Sequence, residues 1–77
     1  MSIIPIVTAR KLILILLRLG FRIVRQKGSH VRLQHALTKR STTVPLHVGD
    51  LPRGLLLEIL KQAGISIKMF LKHIRNK

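Results

Sequence analysis

The side chains in this 77-residue sequence best suited to moving a proton near neutral pH are four histidines, His30, His35, His47 and His73. They are scattered along the chain rather than spaced as a metal-binding pair, so no metal site and no cofactor are expected. The absence of cysteine removes thiolate ligands and disulfides, which suits a reducing, cytoplasmic setting. Two acids, Asp50 and Glu58, stand against fifteen lysines and arginines. That scarcity nearly excludes two-carboxylate catalysis and carboxylate-bound Mg²⁺. What remains is imidazole chemistry among cations. A histidine can give or take a proton while a neighbouring Lys or Arg holds a phosphate. RNA cleavage needs little more, because the 2′-OH is an internal nucleophile.

A net charge of +13 carries a heavy self-repulsion and points to a polyanionic partner. Nucleic acid ranks first, an acidic protein second and an anionic membrane third. The longest apolar run, Leu12 to Leu17, is far shorter than the roughly 18 to 20 residues a spanning helix needs. The N-terminus has no basic region ahead of an apolar one and does not read as a secretory signal.

The element that must position the chemistry is the stretch Phe21 to Gln34, which reads as two alternating strands around a turn at Lys27-Gly28-Ser29. A three-residue loop, Gln26-Lys27-Gly28, would pair Arg25 with Ser29, Ile23 with Val31 and Phe21 with Leu33. All four apolar residues then share one face, leaving Arg22, Val24, His30, Arg32 and Gln34 on the other. A two-residue loop at Lys27-Gly28 would mix the faces and is disfavoured, because register follows the buried pattern. His30 is therefore expected on an open, basic face.

The remaining elements follow from period and caps. Residues 1 to 7 form a short apolar lead-in. Thr8 can cap a helix over about residues 9 to 19 that Gly20 stops, with Ala9, Leu12, Ile13, Leu16 and Leu17 inward. Leu14 and Ile15 then form an apolar flank that either belongs to the core or meets a second chain. Residues 36 to 41 are a basic loop. A third strand is expected from about Thr42 to Val48, at an edge because Pro45 cannot donate to a ladder, with His47 pointing the same way as His30. Asp50 can cap the next helix, with Pro52 in its first turn and Leu55, Leu56, Ile59, Leu60 and Ala63 buried; Gly64 ends it. Ser66 can cap a last short helix with Ile67, Phe70, Leu71 and Ile74 inward and Lys68, Lys72 and Arg75 outward. The whole reads as one α+β domain over residues 1–77: helix, three-stranded antiparallel sheet, helix and a short C-terminal helix. Nothing in the chain covers the sheet's other face.

Composition and spacing alone do not separate a catalytic His30 from a strand residue with no special role. His47 is the weaker candidate, and His35 and His73 the weakest. An ordinary solvated surface fits the basic residues poorly, because such surfaces mix both signs. With Phe21 and Phe70 both at core positions, base-stacking platforms are missing, leaving backbone and groove contacts.

In order and spacing, several segments resemble the HicA toxins of bacterial and archaeal toxin–antitoxin pairs. They are Gly20-Phe21, Arg25-Gln26-Lys27-Gly28-Ser29-His30, Val44-Pro45-Leu46-His47, Leu51-Pro52-Arg53-Gly54 and Ile59-Leu60-Lys61-Gln62-Ala63-Gly64-Ile65-Ser66. The resemblance covers about residues 8 to 75; it departs at Leu55, where the family often has Thr, and in a basic rather than acidic last helix. It implies a double-stranded-RNA-binding-like fold and an endoribonuclease that cleaves mRNA and halts growth. It also implies that the histidine of Gly-Ser-His, here His30, is catalytic, and that a HicB-type antitoxin masks the site. On that footing His30 is the expected general acid or base of a metal-independent reaction. Arg22, Lys27 and Arg32 are expected to steer RNA and bind its phosphate. Ser29 is a further phosphate contact, and His47 a candidate second proton-transfer group. The competing reading is a non-catalytic RNA- or DNA-binding module.

Overall fold

Thr8 starts the first helix by accepting a hydrogen bond from the backbone N–H of Lys11 through its side-chain oxygen (3.0 Å). The computed structural model describes residues 4–75, without the side chain of Arg75. The first three residues of the expected lead-in and the outward Arg75 side chain thus lie outside the described residues. The elements are α1 (Ala9–Arg18), β1 (Phe21–Lys27), β2 (His30–His35), β3 (Ser41–Pro45), a 3₁₀ turn (Leu46–Val48), α2 (Arg53–Ala63) and α3 (Ile67–Arg75). The strands form one antiparallel sheet in the order β1-β2-β3. This is the α+β order expected from the sequence.

The core lies between the sheet and the helices. Phe21, Val31, Leu33 and Val44 from the strands meet Leu12, Ile15, Leu16, Leu56, Ile59, Leu60 and Phe70 from the helices. Burying each such side chain contributes about 1.5–3 kcal/mol, which is what holds so short a chain together. The inward face of α1 is rotated from the expected one. Ile15 is fully buried at 0% exposure, whereas Leu17 is 40% exposed and Leu14 49%. Contact with both β1 and β3 turns the helix so that Ile15 completes the core, which removes it from the apolar flank.

Helix α2 runs without a side-chain cap; Pro52 sits at its N-cap position. Asp50 lies opposite Thr8 in a backbone bridge made by the Ala9 N–H to the Gly49 carbonyl (2.8 Å) and the Leu51 N–H to the Val7 carbonyl (2.9 Å). Gly64 takes the left-handed conformation (φ 73°) that ends α2. Ser66 accepts a hydrogen bond from the Met69 N–H (3.1 Å) at the start of α3, as a cap should. In α3 Phe70 is buried and Leu71 and Ile74 half-buried, but Ile67 remains exposed.

The third strand is shorter than expected. It ends at Pro45, whose missing N–H cannot extend the ladder, and Leu46–Val48 turns as a 3₁₀ segment. His47 therefore sits on a turn, not a strand. β3 lies at the sheet edge, as the proline required. Among the described residues, no helix is long and apolar enough to cross a membrane.

Candidate active site

The hairpin departs from the expected register in two compensating ways. Its loop has two residues, Gly28 and Ser29, between the paired Lys27 and His30. Gly28 takes φ 59°, the positive value that a tight hairpin loop requires at its first position. The register then shifts between Ile23 and Arg25, leaving Val24 as the extra residue of a β-bulge. Ile23 faces Leu33 rather than Val31, and Phe21 faces His35 rather than Leu33. Phe21 is buried, but Ile23 is 49% exposed, because β1 is the outer strand and the helices do not cover it there.

The bulge settles which cations share the open face. Paired residues point to the same side of a sheet. Lys27 therefore flanks His30, Arg25 flanks Arg32 and Arg22 flanks Gln34, all on the side away from Val31 and Leu33. Successive rungs on one face stand about 7 Å apart along a strand. Arg25, which an unbulged ladder would turn inward, thus joins the basic face; the sequence reading missed it. The signal was present in the adjacent apolar pair Ile23-Val24, which breaks strict alternation. Arg22 lies furthest out, about 13 Å from His30 at the usual strand rise. Directly opposed cations such as Arg25 and Arg32 repel, so this face is electrostatically costly without an anion.

Beyond the hairpin, the 3₁₀ turn is folded back against the loop. The Leu46 N–H donates to the Ser29 carbonyl (2.7 Å), and the Ser29 hydroxyl bonds His47 Nδ1 (2.8 Å). The His30 and His47 rings meet edge-on, with centroids 5.5 Å apart and planes at 65°. Both histidines are exposed. The sequence led one to expect only that His47 points the same way as His30, from a strand alternation that ends at Pro45; their contact comes from the turn. The Ser29 hydroxyl is engaged with His47 rather than standing free for phosphate. Arg32 is steadied by a hydrogen bond from its Nη2 to Ser41 Oγ (2.9 Å). A cleft of about 530 Å³ between β3 and α2 borders Arg32 and Ser41 but does not reach the two histidines.

The other two histidines serve the fold. His35 Nδ1 accepts from the N–H groups of Leu37 and Thr38 (3.1 and 3.2 Å), which leaves the proton on Nε2 to donate to the Leu19 carbonyl (2.9 Å). Its ring also meets Phe21 edge-on at 5.0 Å. The approach is so close that a Cβ on Gly20, itself at φ 100°, would lie 2.8 Å from His35 Nε2. His73 donates from Nδ1 to the Met69 carbonyl one turn back in α3 (3.1 Å). Among the described residues, no three His, Cys, Asp or Glu come together in a way that could hold a metal ion.

No curated protein sequence matches the chain. The family model described as the HicA toxin of bacterial toxin–antitoxin matches residues 9–65. That span includes the hairpin, the 3₁₀ turn and α2, and with them every residue of the basic face. With most of the described chain matched over the same elements that build the site, this protein belongs to the HicA toxin family.

Proposed function

We propose that this toxin is a small endoribonuclease that cleaves mRNA in the cytoplasm without a metal ion, using His30 as general acid or base. The observation that carries the reading is His30 itself: an exposed imidazole beside Lys27 on a sheet face lined by Arg22, Arg25 and Arg32. Such a face follows a phosphodiester backbone by charge and leaves the bases unread. The imidazole can give or take one of the protons that move as a 2′-OH displaces the 5′-oxygen. Lys27 and Arg32 neutralise charge building on the phosphate, and Arg22 and Arg25 hold the flanking strand.

The partner expected of such a toxin is a HicB-like antitoxin. An acidic protein laid over the basic face would relieve its self-repulsion and cover His30 together. The test is cleavage of labelled RNA by the pure protein and by His30→Ala, with circular dichroism to check the fold. The expected result is a loss of about 10²- to 10⁴-fold with RNA affinity retained. Undiminished cleavage by His30→Ala, or cleavage abolished by EDTA and restored by Mg²⁺, overturns the assignment. Salt-dependent binding without cleavage by the wild-type chain would instead establish a plain nucleic-acid-binding module.

A further inference from the structure

We propose that His47 is the general base of the cleavage step, that His30 is its general acid, and that Ser29 positions His47 by holding its Nδ1 and leaving Nε2 open to the substrate. The inference rests on the endoribonuclease reading and divides its proton transfers between two named groups. Three observations carry it. The two rings are in edge contact on the open face, close enough to address two oxygens of one phosphodiester. His47 is held at one nitrogen, because Ser29 Oγ bonds Nδ1 at 2.8 Å. The backbone that presents it is tied to the hairpin loop by the Leu46 N–H to Ser29 carbonyl bond at 2.7 Å.

The assignment of roles starts from the ring nitrogen that Ser29 leaves open. A neutral imidazole has one bare nitrogen, and a base works only if that nitrogen faces the proton it takes. The Ser29 hydroxyl can donate to a bare Nδ1 or accept from Nδ1–H, and His47 acts as the base in the form in which Nδ1–H donates and Nε2 carries the lone pair. An imidazolium donates from both nitrogens and needs no such orientation, which suits His30, the ring whose nitrogens Ser29 does not hold.

In the step, His47 Nε2 takes the 2′-OH proton as O2′ forms a bond to phosphorus. The bond from phosphorus to O5′ breaks, and O5′ leaves with the proton of His30. The products are a 2′,3′-cyclic phosphate and a 5′-OH end, with one proton gained by His47 and one lost by His30. No other reactant is required. The nearby Lys27 and Arg32 balance the charge on the non-bridging oxygens.

The experiment compares an ordinary RNA linkage with one whose bridging 5′-oxygen is replaced by sulfur, a leaving group that departs without a proton. On ordinary RNA, His30→Ala and His47→Ala should each lose about 100-fold or more. On the 5′-thio linkage, His30→Ala should recover to near the wild-type rate, whereas His47→Ala should stay slow. His47→Gln, which keeps a side chain beside Ser29, should behave as His47→Ala. Retained RNA affinity and an unchanged circular dichroism spectrum separate a lost proton transfer from a lost fold. Ser29→Ala should lose roughly tenfold, about the worth of one hydrogen bond, and Ser29→Thr should restore it. A His47→Ala variant that cleaves ordinary RNA at the wild-type rate overturns the pair, and one that recovers on the thio linkage overturns the division of roles. Either result leaves the endoribonuclease reading standing provided His30→Ala is inactive on ordinary RNA. A wild-type chain that cleaves neither substrate overturns the reading beneath it.

Discussion

At the scale of single residues, the decisive positions are those whose neighbours come from another element. Arg25 is the clearest. Its pairing with Arg32 places it on the basic face, where it should hold a phosphate. Arg25→Ala should therefore weaken RNA binding about equally for unrelated sequences. It should also flatten the plot of log affinity against log salt by about 0.7, the increment for one single-strand phosphate contact. An unchanged slope would place Arg25 away from the backbone. His35 makes the opposite case, a histidine retained for structure. Removing it takes the donor from the Leu19 carbonyl in a part-buried bond and leaves two exposed loop N–H groups to water. His35→Ala should cost about 2 kcal/mol in urea unfolding. The His30 and His47 rings should be undisturbed by it, since His35 lies at the far end of β2.

Among the elements, the hairpin is governed by two local devices, the Gly28 turn and the Val24 bulge. Val24 is the residue without a ladder partner, between Ile23 opposite Leu33 and Arg25 opposite Arg32. Deleting it would join those two rungs into a regular ladder without changing which face either occupies. The expected outcome is a folded protein within about 1 kcal/mol of wild type that still binds RNA. A variant that loses RNA binding while staying folded would show that the extra twist at the bulge aims the cations. The helices were readable from their caps and periodicity, because Thr8, Gly64 and Ser66 act within a turn of their own positions. The rotation of α1 was not readable. Ile15 and Leu17 are equally apolar, and only contact with the sheet chose between them.

Across the whole molecule, the dominant quantity is charge. A chain of net charge +13 folds against its own repulsion, and one face of its sheet concentrates that repulsion among opposed cations. Raising salt from about 50 to 300 mM, where the Debye length falls below about 10 Å, should raise the midpoint of thermal unfolding. RNA should raise it further at low salt, through preferential binding to the folded state. A midpoint insensitive to salt would mean that the repulsion is already relieved within the fold.

Some features of this protein were settled by the order of residues alone. The alternation around Val31 and Leu33 turns His30 outward under any register that buries them, because side chains in a strand alternate strictly. The charge imbalance pointed to an anionic partner, and Pro45 to an edge strand, which is where β3 lies. The Gly-Ser-His turn and its companion segments were enough to suggest the family. Tertiary structure decided the rest. One unpaired residue changes the face of every residue beyond it, so Arg25 could be placed only once the bulge at Val24 was seen. Likewise His47 reaches His30 through a turn that begins where Pro45 ends the ladder, and through a hydrogen bond to Ser29 across 18 positions of chain. Such contacts depend on how the 3₁₀ turn packs against the hairpin loop, and no local pattern encodes them. The outward placement of His30 could thus be read from the sequence, whereas its contact with His47, and the bond from His47 to Ser29, belong to the fold.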